Sequence, residues 1–314
     1  MEPEQIPTVP DHELLRPVGA GSSGQVWLAR NALGTYRAAK IVPAKAFAHR
    51  RPYEREFNGI SKFEPVSRSH DGLVDILQVG HNEAAGYFYY VMELADDAIS
   101  GRNIDPPTYQ PRTLAQDQAR LGRLPVAECV RLGAAIASAL GFLHQNGLIH
   151  RDIKPSNIIF VGGVPKLADI GLVTDTTAGR SLVGTEGFIA PEGSGTVRAD
   201  IYALGKVLYE TSTGKDRTEY PALPEKLGSR SEMEDLLVLN KIILKACRVK
   251  TWHRYQTAEE MMLALLAFQF DRDALHKKKK IQLLTAIFAV IGTIAVMGIL
   301  SSFLWRFIRL LKHG

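Results

Sequence analysis

The chain has 314 residues, 46% of them hydrophobic, which is ordinary for one large folded domain or two modest ones with a sizeable core. Its two cysteines, Cys129 and Cys247, lie far apart with no CxxC pair; this argues against a disulfide scaffold or a zinc site and suits a reducing cytosol. The net charge of +5 comes from the end of the chain, because residues 277–314 hold seven Lys and Arg and no acid, and removing those seven leaves 31 basic against 33 acidic residues, a balance of −2. That placement points to a membrane surface and away from nucleic acid.

Residues 1–10 are polar and proline-bearing, without a basic segment leading into an apolar run, so no cleaved signal peptide is expected. From Asp11 an apolar strand runs into a G-x-G-x-x-G element, Gly19, Gly21 and Gly24, and leaves through Val26, Trp27 and Leu28. In a dinucleotide-binding fold such an element opens a helix. Here an apolar, strand-like run follows it, which predicts a hairpin. Glycines in such a turn let backbone N–H groups approach phosphate oxygens with no Cβ in the way; a plain Gly-Ser turn is the plainer alternative.

Ala38, Ala39, Lys40 and Ile41 follow as an A-x-K strand. An exposed lysine at a strand end is common, so a functional Lys40 needs a carboxylate to pair with. Residues 53–63 are the expected helix to supply it, although Gly59 weakens its interior. Glu54 and Glu56 compete, since residues two apart cannot share a helix face. Glu56 is preferred because Ile60 lies one turn on from it, whereas Glu54 is followed by Asn58. Residues 87–95 are rich in aromatic and β-branched side chains and read as a strand. Residues 96–124 are irregular, with Pro106, Pro107 and Pro111 and a short helix near Leu114–Leu121; their role is left open. Val126 to Gln145 is a strong helix, with Val130, Ala134, Ala137, Leu140 and Leu143 at helical spacing.

That helix delivers the chain to His150, Arg151, Asp152, Ile153, Lys154, Pro155, Ser156 and Asn157, an H-R-D-x-K-P-x-N element. Phosphoryl transfer asks for positioning and charge neutralisation, and these groups are of the right type. Asp152 can accept a hydrogen bond from a substrate hydroxyl, Lys154 can neutralise charge on the moving group, and the Asn157 amide oxygen can reach Mg²⁺. Asp169, Ile170 and Gly171 stand where a D-F-G element would, and residues 184–192 end in A-P-E at Glu192.

Five motifs in this order resemble the eukaryotic-like serine/threonine protein kinases of bacteria, over residues 11 to about 270. The resemblance implies an α+β, two-lobed kinase fold, with a β-rich lobe over about 11–94 and an α-rich lobe over about 95–270. It implies ATP with Mg²⁺, or Mn²⁺ in its place. It places Gly19, Gly21 and Gly24 at the phosphates and Val26 with Ala38 over the adenine. Met92 falls at the back of the pocket, Glu93 to Ala95 at the hinge, and Ile159 with the nucleotide-binding residues. It makes Lys40 and Glu56 the pair that aligns the phosphates, Asp152 and Lys154 catalytic, and Asn157 and Asp169 the metal ligands. Glu192 is expected to bind Arg254, and Asp200 the backbone near His150 and Arg151. Lys154-Pro155 and Gly184-Thr185 favour serine or threonine as acceptor. The departures are Ile170 in place of Phe, an insertion expected at 64–69, and the segment 96–124. Thr174, Thr176, Thr177 and Ser181 are the hydroxyls available for activation-loop autophosphorylation, with Arg151 in the receiving pocket. The rivals are a pseudokinase or nucleotide-binding scaffold at the membrane, and a small-molecule kinase on the same fold.

Ile281 to Trp305 is a run of about 25 uncharged residues, long enough to cross a bilayer. Residues 271–280 are a basic linker and 306–314 a short tail. The expectation is a single-pass protein of the cytoplasmic membrane, its kinase domain facing the cytosol because ATP is there. The expected partners are the lipid bilayer and membrane-associated protein substrates; a homodimer is compatible with this, and no nucleic acid is expected.

Overall fold

The computed structural model describes residues 6–21, 23–169, 184–225 and 228–274, with the backbone of 174 and 175. Five strands form one antiparallel sheet in the order β1-β2-β3-β5-β4: β1 (His12–Ala20), β2 (Gln25–Asn31), β3 (Tyr36–Pro43), β4 (Ile76–Asn82) and β5 (Tyr87–Met92). Side chains alternate across a strand, so the sequence sorts itself between the two faces. Trp27, Ala29, Ala39, Ile41, Tyr89 and Val91 gather on one face as an apolar cluster with Val9 and Leu14. The residues between them, Val26, Ala38, Lys40 and Met92, are left for the other face. The register sets Val26 opposite Lys40, and Ala38 opposite Met92.

Helix α1 (Arg50–Ser67) joins β3 to β4. It buries Glu56, Gly59, Ile60, Phe63 and Ser67, a helical stripe in which Gly59 stands on the packed face. The insertion expected at 64–69 is not a separate loop: residues 64–67 are the last turn of this helix despite Pro65. Tertiary contacts override the weak local signal there. Ser67 Oγ donates to the Glu64 carbonyl at 2.8 Å and accepts from the Ile76 N–H at 3.2 Å, and Arg68 Nε donates to the Ile76 carbonyl at 2.8 Å.

Helices α2 (Leu114–Leu121), α3 (Val126–Gln145), α4 (Val197–Thr213) and α5 (Arg230–Ala246) follow, with a last helix over 258–274. Their ends are written locally. Thr113 and Gln116 form a capping box before α2, Thr196 and Ser229 cap α4 and α5, and Gly214 closes α4 in the left-handed region. Helices α3, α4 and α5 pack on one another. The approach of α4 to α5 is so close that a Cβ on Gly205 would stand 2.7 Å from Cys247 Sγ. Cys129 and Cys247 are both buried and free, and burial pushes each thiol up to about 12, so both are protonated and inert at neutral pH.

Between α3 and α4 run short strands: β6 (Leu148–Ile149) pairs with β9 (Thr174–Asp175), and β7 (Ile158–Val161) with β8 (Val164–Leu167). Glu192 and Arg254 form a two-pronged pair at 2.6 and 2.8 Å, with Arg254 2% exposed. The chain divides into two compact units, residues 1–266 and 267–314. Among the described residues, the one helix long and apolar enough to cross a membrane is α3, which is a buried core helix. The expected span at 281–305, the linker lysines 277–280 and the tail 306–314 lie outside the described residues.

Candidate active site

A cleft of roughly 680 Å³ opens beneath the sheet. Gly19 and Gly21 line it from the turn between β1 and β2, Val26 and Ala38 from the sheet, and Met92, Glu93 and Ala95 from the end of β5 and the segment after it. Lys40, Asp152, Lys154, Asn157, Ile159 and Asp169 line the same cleft. Gly24 and Glu56 do not line it; Gly24 closes the glycine turn and Glu56 reaches Lys40. The glycine turn is tight, with the Gly21 N–H donating to the Gly24 carbonyl at 2.8 Å. Gly24 lies so close to β3 that a Cβ there would sit 2.1 Å from the Ile41 carbonyl oxygen. Any side chain would force the turn off the sheet.

Lys40 is 3% exposed and surrounded by partners. Its Nζ lies 2.6 Å from Asp169 Oδ1 and 3.4 Å from Glu56 Oε1. Glu54, the rival carboxylate, pairs instead with Arg50 on the outside of α1. Burial works against the charge on Lys40, but Tyr90, Asp169 and Glu56 together hold its pKa above the ordinary lysine value. Burial likewise raises Glu56, and Lys40 only partly offsets it. Burial opposes the charge on Asp169 too, yet the Lys40 ammonium holds this carboxyl below its usual range.

The sequence reading missed two neighbours here. Ser23, in the glycine turn, donates its hydroxyl to Glu56 Oε1 at 2.7 Å. Tyr90 stands opposite Lys40 on β5 and is buried behind it, with Nζ 5.8 Å from the ring centroid.

The loop 150–157 is held from below by helix α4. Asp200 accepts the His150 N–H on Oδ2 and the Arg151 N–H on Oδ1, both at 2.9 Å, and His144 Nε2 lies 2.9 Å from Oδ2. These contacts fix Arg151 at φ 73°, a left-handed conformation that costs about 1–3 kcal/mol in a non-glycine residue. Asp169 also lies in the left-handed region, at φ 56°.

Asp152 is the focus of the loop. Its Oδ2 accepts from Lys154 Nζ at 2.7 Å and Asn157 Nδ2 at 3.0 Å, and its Oδ1 from Thr185 Oγ1 at 2.8 Å. Lys154 Nζ also donates to Thr185 Oγ1 at 2.8 Å. Thr185 was not among the expected site residues. Only its place in the G-T before A-P-E hinted at it, and the contact spans 33 residues of chain.

Asn157 donates its amide nitrogen to the Asp152 carbonyl at 2.7 Å, which leaves the amide oxygen as its other polar group. Asp169 has 38% of its side chain exposed, towards the cleft it lines. A carboxylate and an amide oxygen suit a hard divalent cation that keeps waters and phosphate oxygens as its remaining ligands. No group of three or more His, Cys, Asp or Glu side chains able to hold a metal occurs among the described residues.

Glu93 contributes backbone to the cleft, because its carboxylate is engaged elsewhere by Lys166 Nζ at 2.6 Å and the Asp75 N–H at 2.9 Å. The irregular segment after it supplies further lining that was not foreseen: Tyr109, Pro111 and Thr113. Of the expected phosphorylation sites, Thr176, Thr177 and Ser181 lie outside the described residues, as does Ile170. Thr174 is described only as backbone, paired with Ile149.

A sheet-rich lobe over a helical one, with a lysine, two aspartates and an asparagine around one cleft, is the architecture of a two-lobed kinase. The chain belongs to the protein kinase domain family, which matches residues 12–284. The family uses ATP with a divalent metal and acts on proteins. Among curated proteins, the chain is 29% identical over 289 residues to the serine/threonine-protein kinase PrkC of Bacillus subtilis, covering 85% of this chain and 42% of that protein. It is 30% identical over 296 residues to the serine/threonine-protein kinase PknB of Mycobacterium leprae, with 82% and 44% covered. The PknB of Mycobacterium tuberculosis is 28% identical over 294 residues, with 82% and 44% covered. The chain thus spans about two fifths of the length of the curated relatives it matches.

Proposed function

We propose that this chain is a serine/threonine protein kinase of the cytoplasmic membrane, transferring the γ-phosphoryl group of Mg·ATP to hydroxyls of protein substrates. The observation that carries the reading is the gathering of Lys40, Asp152, Asn157 and Asp169 around one cleft roofed by a glycine turn. Lys40, kept charged by its carboxylate neighbours, pairs with the α- and β-phosphates, and Glu56 sets its position. Asn157 and Asp169 would hold the Mg²⁺, which would supply positive charge against the phosphates when bound. Asp152 accepts the hydrogen bond of the substrate hydroxyl and orients it in line with the γ-phosphorus. Lys154, already at the Asp152 carboxylate, neutralises charge on the transferred group, and Thr185 holds both side chains in register. Adenine is read by backbone groups of the segment 93–95. Autophosphorylation of the activation segment at Thr174, Thr176, Thr177 or Ser181 belongs to the same reading, with Arg151 in the receiving pocket.

Purified full-length protein given γ-labelled ATP and Mg²⁺ is expected to label itself and a generic protein acceptor, with the label on phosphoserine and phosphothreonine. Nucleotide binding without transfer to any protein would make it a scaffold instead. The membrane part rests on the uncharged run 281–305. Full-length protein should stay with carbonate-washed membranes, and a chain truncated after Lys280 should leave them. Recovery of the full chain in the soluble fraction would remove the anchor from the proposal.

A further inference from the structure

The segment between β5 and α2 has a built interior. Asp96 accepts the N–H groups of Gly162 and Gly163 at 2.8 and 2.7 Å, which fastens it to the β7–β8 turn. Asp97 accepts the N–H groups of Ile99, Ser100 and Gln110 at 2.8–2.9 Å, which closes the segment on itself. Tyr109 is 2% exposed and donates its hydroxyl to the Ala95 carbonyl at 3.1 Å. These bonds fix the segment's own shape and its seat on the β7–β8 turn, but not its distance from β1.

It also reaches the other lobe. Arg16, on β1, donates Nε to the Pro106 carbonyl at 2.6 Å and Nη2 to the Tyr109 carbonyl. A guanidinium fork can grip two acceptors at once, and here both are backbone carbonyls of the one segment. Two and three residues further along β1, Val18 and Gly19 line the cleft from above, while Tyr109 and Pro111 line it from beside Ala95. A nucleotide with its base at residues 93–95 and its terminal phosphate near Lys40 and Asp169 must place its sugar between these two walls.

We propose that residues 96–113 are a nucleotide-selecting wall, latched to β1 by Arg16, which makes the cleft discriminate against nucleotides enlarged at the ribose hydroxyls. The inference rests on the reading of the cleft as an ATP site. It goes beyond that reading in assigning the segment a substrate to reject.

The test is equilibrium binding of ATP and of 2′/3′-O-(N-methylanthraniloyl)-ATP, with Mg²⁺, to the full-length protein and to Arg16→Ala and Arg16→Lys. The wild type is expected to favour ATP by about tenfold or more, and both variants to lose most of that preference, mainly by binding the enlarged nucleotide better. Lysine keeps the charge but presents its donors from one nitrogen, without the planar fork that reaches the two carbonyls from Nε and Nη2, so it should behave as alanine does. An unaltered preference in the variants, or none in the wild type while ATP itself binds, overturns the wall. Failure of the wild type to bind ATP overturns the ATP site beneath it, a result separable from the first. If Arg16→Ala loses its circular dichroism spectrum, Arg16→Lys and the wild-type ratio decide.

Discussion

Replacing Asp152 by asparagine is expected to lower kcat for phosphoryl transfer by about 10²–10⁴-fold, the range for loss of a positioned general base. The KM for ATP should change far less, because on the proposed reading Asp152 acts on the acceptor hydroxyl and the nucleotide is gripped elsewhere. The geometry makes the loss more than one of charge. Three donors converge on this carboxylate, from Lys154, Asn157 and Thr185. An amide has one acceptor oxygen: it can keep Lys154 and Asn157 on that oxygen, but its NH₂ group then reverses the hydrogen bond with the Thr185 hydroxyl, which must turn to accept. Asp152→Ala, which removes all three contacts along with the base, should be about as inactive. Initial rates at saturating ATP, beside nucleotide affinity for each variant, check this. A variant within about twofold of wild type in kcat would take Asp152 out of the mechanism.

The second large effect is expected at Asp169. Asparagine there removes the partner that Lys40 holds at 2.6 Å and, on the proposed reading, the negative donor to the metal. Nucleotide binding raises the melting temperature by mass action, by about 2.7 kcal/mol of stability at a hundred times Kd. For the wild type that thermal shift should need Mg²⁺ and vanish with a chelator. For Asp169→Asn it should be small with or without the metal, and kcat should fall by roughly 10²–10³-fold, as when a transition-state charge stabiliser is lost. Glu56 then becomes the remaining carboxylate partner of Lys40, so the variant is expected to stay folded. A thermal shift in Asp169→Asn equal to that of wild type, and equally dependent on Mg²⁺, would place the metal elsewhere.

The parts of this site that could be read from the chain are those whose chemistry is local. The period-two pattern sets Ala38 and Lys40 on one face of β3, and the eight residues 150–157 carry a donor, an acceptor and an amide in one turn. Helix α3 announces itself by its stripe. Glu56 could be separated from Glu54 because Ile60 marks the buried face of α1.

What escaped reading is what the fold brings together across long separations. Thr185 meets Asp152 over 33 residues, Ser23 meets Glu56 over 33, and Arg16 meets the Pro106 carbonyl over 90. No spacing rule signals such contacts, since serine, threonine and arginine are common on any surface. Helix α1 ran past its expected end for a related reason. Gly59 and Pro65 weaken a lone helix, but the packed face of this one and its tie to β4 through Ser67 outweigh them.

One feature of the lower lobe ties chemistry to endurance. Asp200 belongs to a helix whose side chains are almost all interior, yet both its carboxylate oxygens receive the amides that shape the reactive turn. Loosening that helix therefore disarms the turn at the same moment. Partial melting could not leave a crippled but working catalyst, and loss of output on heating should coincide with loss of the core itself.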